Sequence, residues 1–268
     1  MKRLFTHEDD QYIYEHFRNT SYAELAAKFN VTERQLRGHI NNMGWSKRVK
    51  RDCSYFATID SAQKAYWLGL LYADGYLAYH PERRTYEVAI ELHEKDLSTL
   101  EQFRADVGIA CKITHKEQDK SFNGCDYHTS SNVLRIYSKE MCDNLIRCGL
   151  VPHKTYESEH PAIDVYQHAF VRGFLDGDGC IYVSPTGHHQ VTFTNANELF
   201  LQYLQSLIRL NCGAEGHIYR ERELKYRLVY YSLQSIMLLL DWVYQEDGAW
   251  RMERKYQKYI SLQDGLAA

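Results

Sequence analysis

No apolar run in the 268 residues approaches the eighteen or so that a membrane span needs, so a membrane protein is not expected. Met1-Lys2-Arg3 leads straight into polar sequence with no apolar signal core. This sets the expectation of an intracellular, cytoplasmic protein from a bacterium or phage, or an organellar one. The seven cysteines are odd in number and form no CxxC pair, which argues against a disulfide framework or a zinc site. His188-His189 has no HExxH or CxxC partner, and adjacent histidines on a strand point to opposite faces. A basic excess is also missing, since the formal net charge is −3. The balance therefore does not advertise a nucleic-acid partner, and distribution matters more than the sum.

That distribution is uneven. Between Lys28 and Arg51 the chain carries Lys28, Arg34, Arg37, Lys47, Arg48, Lys50 and Arg51 against Glu33 alone, a stripe suited to phosphate. The surrounding sequence predicts a small helical unit. Thr6 is placed to cap a helix whose stripe is Tyr12, Ile13 and Phe17, and Ser21 to cap one that packs Leu25, Ala26 and Phe29. A tight turn at Asn30-Val31-Thr32 leads to a helix carrying Leu36 and Ile40. This pattern predicts a helix-turn-helix whose second helix presents Arg34, Gln35, Arg37, His39 and Asn41 to a major groove, with Lys47 and Arg48 behind it.

From about Ser61 the chain repeats itself. A helix ending at Asp74 precedes strands "GYLAYH" and "TYEVAIELH", a helix from Lys95 to Val107, strands "CKITHKEQ" and "YHTSSNVLRIY", and a helix from Lys139 to Cys148. A helix ending at Asp178 then precedes "CIYVS" and "QVTFTN", a helix from Asn197 to Leu210, strands "EGHIYRER" and "KYRLVYYS", and a helix from Ile236 to Tyr244. The order αββαββα occurs twice at a period near a hundred residues, which marks a duplicated domain. The expected fold class is α+β: two pseudo-symmetric αββαββα repeats at 53–160 and 161–268, preceded by an all-α helix-turn-helix domain at 1–52.

Each repeat opens on a related phrase, "WLGLLYADG" at 67–75 and "VRGFLDGDG" at 171–179. Gly69 and Ala73 are four apart, as are Gly173 and Gly177, so each helix has a small-residue face that admits another backbone closely. Packed on those faces, the helices would bring Asp74 and Asp178 side by side, with Gly75 and Gly179 allowing a sharp turn into the first strand. Two carboxylates at helix C-termini repel each other unless a cation sits between them. A hard divalent cation, Mg²⁺ or Mn²⁺, suits such oxygen ligands, and metal-assisted phosphodiester hydrolysis follows. The expected metal-binding set is Asp74 and Asp178 with Gly75 and Gly179. Asp176 is a weaker ligand, because its counterpart is Tyr72.

The paired phrases resemble the signatures of LAGLIDADG homing endonucleases, with the likeness running from about Ser61 to Leu266. Trp67 and Arg172 depart from the family's apolar pattern. The resemblance implies a monomer that binds double-stranded DNA and cleaves both strands. It also implies a basic residue from each half near the scissile phosphate. Lys154 and Lys255 stand at matching distances after Asp74 and Asp178, with Lys258 a rival for Lys255. Two sheets are further expected to form a saddle along the major groove. On the alternating strands Lys112, Thr114, Lys116 and Gln118 share one face; so do Gln190, Thr192 and Thr194; so do Arg220 and Arg222, then Lys225 and Arg227. Glu87 and Glu91 on the open face fit less well. No splicing residue opens the chain and no His-Asn closes it, so a free-standing or intron-encoded enzyme is expected rather than an intein. The alternative is a non-cleaving DNA-binding regulator or an RNA-splicing maturase on the same scaffold.

Overall fold

The computed structural model describes residues 5–17, 20–45, 53–122, 125–152, 160–184, 187–246 and 250–267. The chain divides into two compact units, Met1–Arg51 and Asp52–Ala268.

In the first unit, α1 (His7–His16), α2 (Tyr22–Lys28) and α3 (Glu33–Asn42) each begin with a reciprocal capping box. Thr6 pairs with Asp9, Ser21 with Glu24 and Thr32 with Gln35, so two orphan amides are satisfied at each start. Between α2 and α3 Asn30 takes a left-handed φ of 51°, which makes the expected tight turn. Phe5, Ile13, Phe17, Leu25, Ala26, Leu36 and Ile40 form this unit's own core.

The second unit holds both repeats around two central helices, α4 (Ala62–Asp74) and α7 (Gln167–Asp178). Every residue from Ala65 to Ala73 and from Ala169 to Asp176 is buried, as befits helices that are covered on all sides. The first repeat continues with β1 (Gly75–His80), β2 (Thr85–His93), α5 (Leu97–Asp106), β3 (Ile113–Phe122), β4 (Cys125–Tyr137) and α6 (Lys139–Arg147). The second continues with β5 (Gly179–Tyr182), β6 (Gln190–Asn195), α8 (Glu198–Cys212), β7 (His217–Arg222), β8 (Lys225–Tyr230), α9 (Leu233–Val243) and α10 (Glu253–Ala267). The antiparallel sheets have matching orders, β1-β2-β4-β3 and β5-β6-β8-β7. Leu77, Val88, Ile90, Leu134 and Ile136 point from the first sheet into the core, as do Ile181, Val191, Phe193, Leu228 and Tyr230 from the second. The period-2 alternation leaves the opposite face of each sheet open.

Several element bounds differ from the sequence expectation. A 3₁₀ turn at Glu94–Asp96 delays α5 to Leu97, because Asp96 is drawn to Arg254 rather than capping the helix. Gly213, at φ 75°, ends α8 two residues beyond Leu210. The helix α10 went unforeseen.

The two departures from the apolar motif pattern are both accommodated by partners. Trp67 is buried and its indole N–H donates to Asp106 Oδ2 at 2.9 Å. Arg172, 1% exposed, donates from Nε to Trp250 O at 2.9 Å and from a terminal nitrogen to Val243 O at 2.5 Å. A buried guanidinium is tolerated when its donors are used in this way.

Candidate active site at the paired helix ends

The approach of α4 to α7 explains the glycines. A Cβ on Gly69 would lie 2.0 Å from Phe170 O and 2.9 Å from Phe174 N; one on Gly173 would lie 2.0 Å from Tyr66 O and 2.9 Å from Leu70 N. These four neighbours are related by the same sequence offset that relates the glycines, so the helices cross about a local dyad. Farther along, a Cβ on Gly177 would lie 2.2 Å from Ala73 Cβ and 2.7 Å from Asp74 Oδ2. The Asp74 carboxylate therefore stands against the residue that precedes Asp178. Both acids are half-buried.

Gly75 and Gly179 follow, but not for the reason expected of a helix-ending glycine. Their φ values, −77° and −95°, are open to any residue. Their backbones instead press on the preceding turn, where a Cβ would come within 2.3 Å of Leu71 O and 2.4 Å of Leu175 O. Close approach, rather than left-handed geometry, excludes a side chain there.

The lysines fall in different places. Lys154 lies outside the described residues. Lys255 is 4% exposed, and its Nζ donates to the carbonyls of Leu175 (2.7 Å), Asp176 (2.5 Å), Gly177 (3.2 Å) and Gly179 (2.7 Å). The Gly179 carbonyl, expected among the metal-binding groups, thus receives an ammonium. Lys258 donates to Ile181 O at 2.8 Å. Asp176 is fully buried, and its Oδ2 accepts from Met252 N (2.7 Å) and Tyr66 Oη (2.9 Å). Burial pushes its carboxyl up to about 6, against the opposing pull of Lys255, the Met252 amide, Tyr66 and Arg172. Burial likewise pulls the Lys255 ammonium down to about 8, while Asp176 pushes it back. Asp176 therefore faces the interior and not the space before Asp74 and Asp178.

Among the described residues no group of three or more His, Cys, Asp or Glu side chains is placed to hold a metal ion. What the helix ends offer is two hard carboxylates at two negative dipole ends. This donor set fits an oxygen-seeking divalent cation whose remaining ligands come from phosphate and water.

The open sheet faces carry most of the expected DNA-binding side chains. Lys112 is exposed just before β3, while Thr114 and Lys116 pair with Val133 and Ser131 on the open face of the first sheet. Lys116 Nζ lies 3.4 Å from both Glu91 oxygens, and Ser131 Oγ donates to Glu91 at 2.6 Å. Arg135 Nε lies 3.0 Å from Glu87 Oε1 on the same face. Arg135 was not anticipated, although the inward Leu134 and Ile136 on either side signal its direction. On the second sheet Gln190 donates to Thr192 Oγ1 at 2.5 Å, and Thr192 is only 2% exposed. Its place on the open face is covered by its neighbours, contrary to the expectation of an accessible contact. Arg220 and Arg222 do not share a face as expected. Arg220 pairs with Tyr226 and Arg222 with Lys225, across a bulge that reverses the alternation. Lys225 and Arg227 both face Glu221, at 3.0 and 3.9 Å.

In the first unit Arg34 is exposed on α3, while Lys47 and Arg48 lie outside the described residues. The Gln35 amide oxygen accepts from Thr32 in the capping box. Arg37 pairs with Glu33 at 3.2 Å and lies over the Tyr22 ring, and His39 Nε2 lies 2.7 Å from Asp10 Oδ1.

Comparison with known proteins agrees with this architecture. Residues 166–255 match the family described as LAGLIDADG-like domain. No curated protein sequence matches the chain. Among solved structures, the homing endonuclease I-WcaI bound to its DNA recognition sequence is similar at 11% identity with a TM-score of 0.54, over 75% of this chain and 87% of that one. Mesophilic variants of the homing endonuclease I-DmoI are similar at 18% identity with a TM-score of 0.45, over 73% and 94%. The N-terminal LAGLIDADG domain of DUF199/WhiA is similar at 15% identity with a TM-score of 0.44, over 77% and 93%. At these identities the likeness is one of fold.

Proposed function

We propose that this chain, which has the two-repeat LAGLIDADG fold of homing endonucleases, is a monomeric, site-specific DNA endonuclease that hydrolyses one phosphodiester in each strand of a long duplex target. The observation that carries this reading is the meeting of Asp74 with the Gly177-Asp178 step at a local dyad. Such a dyad matches the two antiparallel strands of a duplex. Asp74 and Asp178 would hold divalent cations such as Mg²⁺ or Mn²⁺, which when bound activate water and stabilise the departing oxygen. The side chains of this chain position the duplex. Arg222, Lys225 and Arg227 on one sheet and Lys112, Lys116 and Arg135 on the other meet phosphates and base edges along the major groove. Arg34 and Arg37 on α3 add contacts in a helix-turn-helix manner. Lys154 remains the candidate basic residue of the first half.

A second reading, a binder that does not cut, is favoured by the enclosure of Lys255 among four carbonyls. One experiment separates the two. The protein is incubated with a randomised long duplex library and Mg²⁺, beside Asp74→Asn and Asp178→Asn proteins and a Ca²⁺ control. Metal-dependent double-strand cuts at one enriched site, abolished or reduced to nicks by the substitutions, are the expected result. Enrichment of one site with no cut by the unsubstituted protein would establish the binder instead.

A further inference from the structure

The end of α7 and the start of α10 exchange caps. The last turn of α7 leaves carbonyls short of partners, and Lys255, in the first turn of α10, places its ammonium on those of Asp176, Gly177 and, just beyond, Gly179, and also on that of Leu175, which already accepts the Gly179 N–H. The start of α10 leaves amides unpaired, and Asp176, in the last turn of α7, accepts the Met252 N–H at 2.7 Å. Each side chain also carries the charge that the opposing helix pole attracts, cation to C-terminus and anion to N-terminus. The flanking segment is tied on both sides: Trp250 O receives Arg172, and Arg254 holds Asp96 of the first repeat through two nitrogens, at 2.9 and 3.0 Å. An ammonium has three N–H donors, and four carbonyl oxygens lie within 3.2 Å of this one. None is left over for a phosphate or a water.

We propose that Lys255 is a positioning residue for Asp178: paired with Asp176 in this reciprocal cap, it fixes the turn from which Asp178 projects and offsets the negative pole beneath it, and it exchanges no proton with DNA. The inference rests on the endonuclease reading for Asp178's role, though the cap itself does not. The first repeat lacks the acid half of the device. Its matching residue, Tyr72, donates its hydroxyl to Cys148 O at 3.1 Å, where Asp176 accepts an amide.

Two measurements on the full chain test it, using Lys255→Met and Lys255→Gln. In the first, hydrogen exchange of the peptide spanning 175–179 is followed by mass spectrometry. Lys255→Met should speed exchange at least tenfold, and Lys255→Gln, which keeps two N–H donors, should recover part of the protection. Unchanged exchange in both would overturn the cap. In the second, cutting of each strand of the selected target is titrated with Mn²⁺ across pH. The Mn²⁺ concentration for half-maximal cutting of one strand should rise at least tenfold in Lys255→Met. Saturating Mn²⁺ should restore the rate with a pH profile of unchanged shape. A rate that Mn²⁺ does not restore, with the alkaline limb displaced, would make Lys255 a proton-transfer group and overturn the proposal. If Lys255→Met does not fold, Lys255→Gln is read by the same criteria. A parent protein that cuts no DNA would remove the endonuclease reading, and the exchange measurement would then decide the cap alone.

Discussion

On the open face of the first sheet Arg135 is paired with Glu87 and Lys116 with Glu91. On the second sheet Lys225 and Arg227 share Glu221, and Arg222 is exposed beside them. The strand order is the same, so the difference lies in charge and in the bulge that sets Arg222 opposite Lys225. Exposed ion pairs contribute at most about 1 kcal/mol, and the pairing of the first face is better understood as holding side chains in place. A paired arginine offers a fixed fork to a base edge and little attraction to phosphate at a distance, whereas an unbalanced face draws in the polyanion. On the proposed function, one duplicated scaffold would separate recognition from attraction between its halves. The helix ends repeat the lesson. The glycine contacts of α4 and α7 are symmetric to a tenth of an ångström, yet Tyr72 and Asp176, two residues before each acid, bond to different backbone groups.

The largest effect should come from the symmetric part. Gly69→Ala and Gly173→Ala each drive a methyl to 2.0 Å from a carbonyl oxygen and should each cost about 3 kcal/mol or more in urea unfolding. Costs that differ by more than about 2 kcal/mol would break the dyad. Gly38→Ala, with nothing within 4 Å in the interior of α3, serves as contrast and should stabilise by about 0.5 to 1 kcal/mol.

The sheets should then part company in DNA binding measured against salt. Arg222→Ala is expected to weaken binding on every sequence and to lower the slope of log K against log salt by about one. Arg135→Ala should leave the slope nearly unchanged and relax base preference at one position, by about 1 to 3 kcal/mol. Equal slopes in the two variants would dissolve the division of labour.

The smallest effect concerns a contact in the second repeat. Burial holds His168 below its ordinary 6.5, while Glu246, 3.2 Å away, pulls it back up. The folded protein therefore binds this proton less readily than the unfolded chain does. Stability should fall as pH drops below about 6.5 through the folded value, and His168→Gln should flatten that part of the acid limb. Urea midpoints at about pH 5 and about pH 7.5 read the change, and identical slopes would remove His168 from the account.

Much of this was legible before any coordinates. The spacing of Gly69 and Ala73, and of Gly173 and Gly177, announces two helices in backbone contact, because only small residues admit a carbonyl that closely. Leu134 and Ile136 announce an inward face by alternation. The bulge at Glu221 was not legible, since one extra residue in a strand leaves no mark on composition and yet moves Arg220 to the opposite side from Arg222. Nor was the burial of Thr192, which depends on what Gln190, Cys180 and Val229 do around it.

What the sequence determined by itself was most of the local content: which segments coil or extend, α10 apart, and that two acids end two matching helices. Those follow from interactions between residues a few places apart, and the duplicated spacing writes them twice. Only the tertiary structure decided what a charged side chain does. Lys255 and Asp176 stand 79 residues apart in the chain, and nothing in either neighbourhood foretells that one fills the helix end of the other. An ammonium has the same chemistry on a phosphate as on a ring of carbonyls, so its role is set by which oxygens the fold brings within hydrogen-bonding distance.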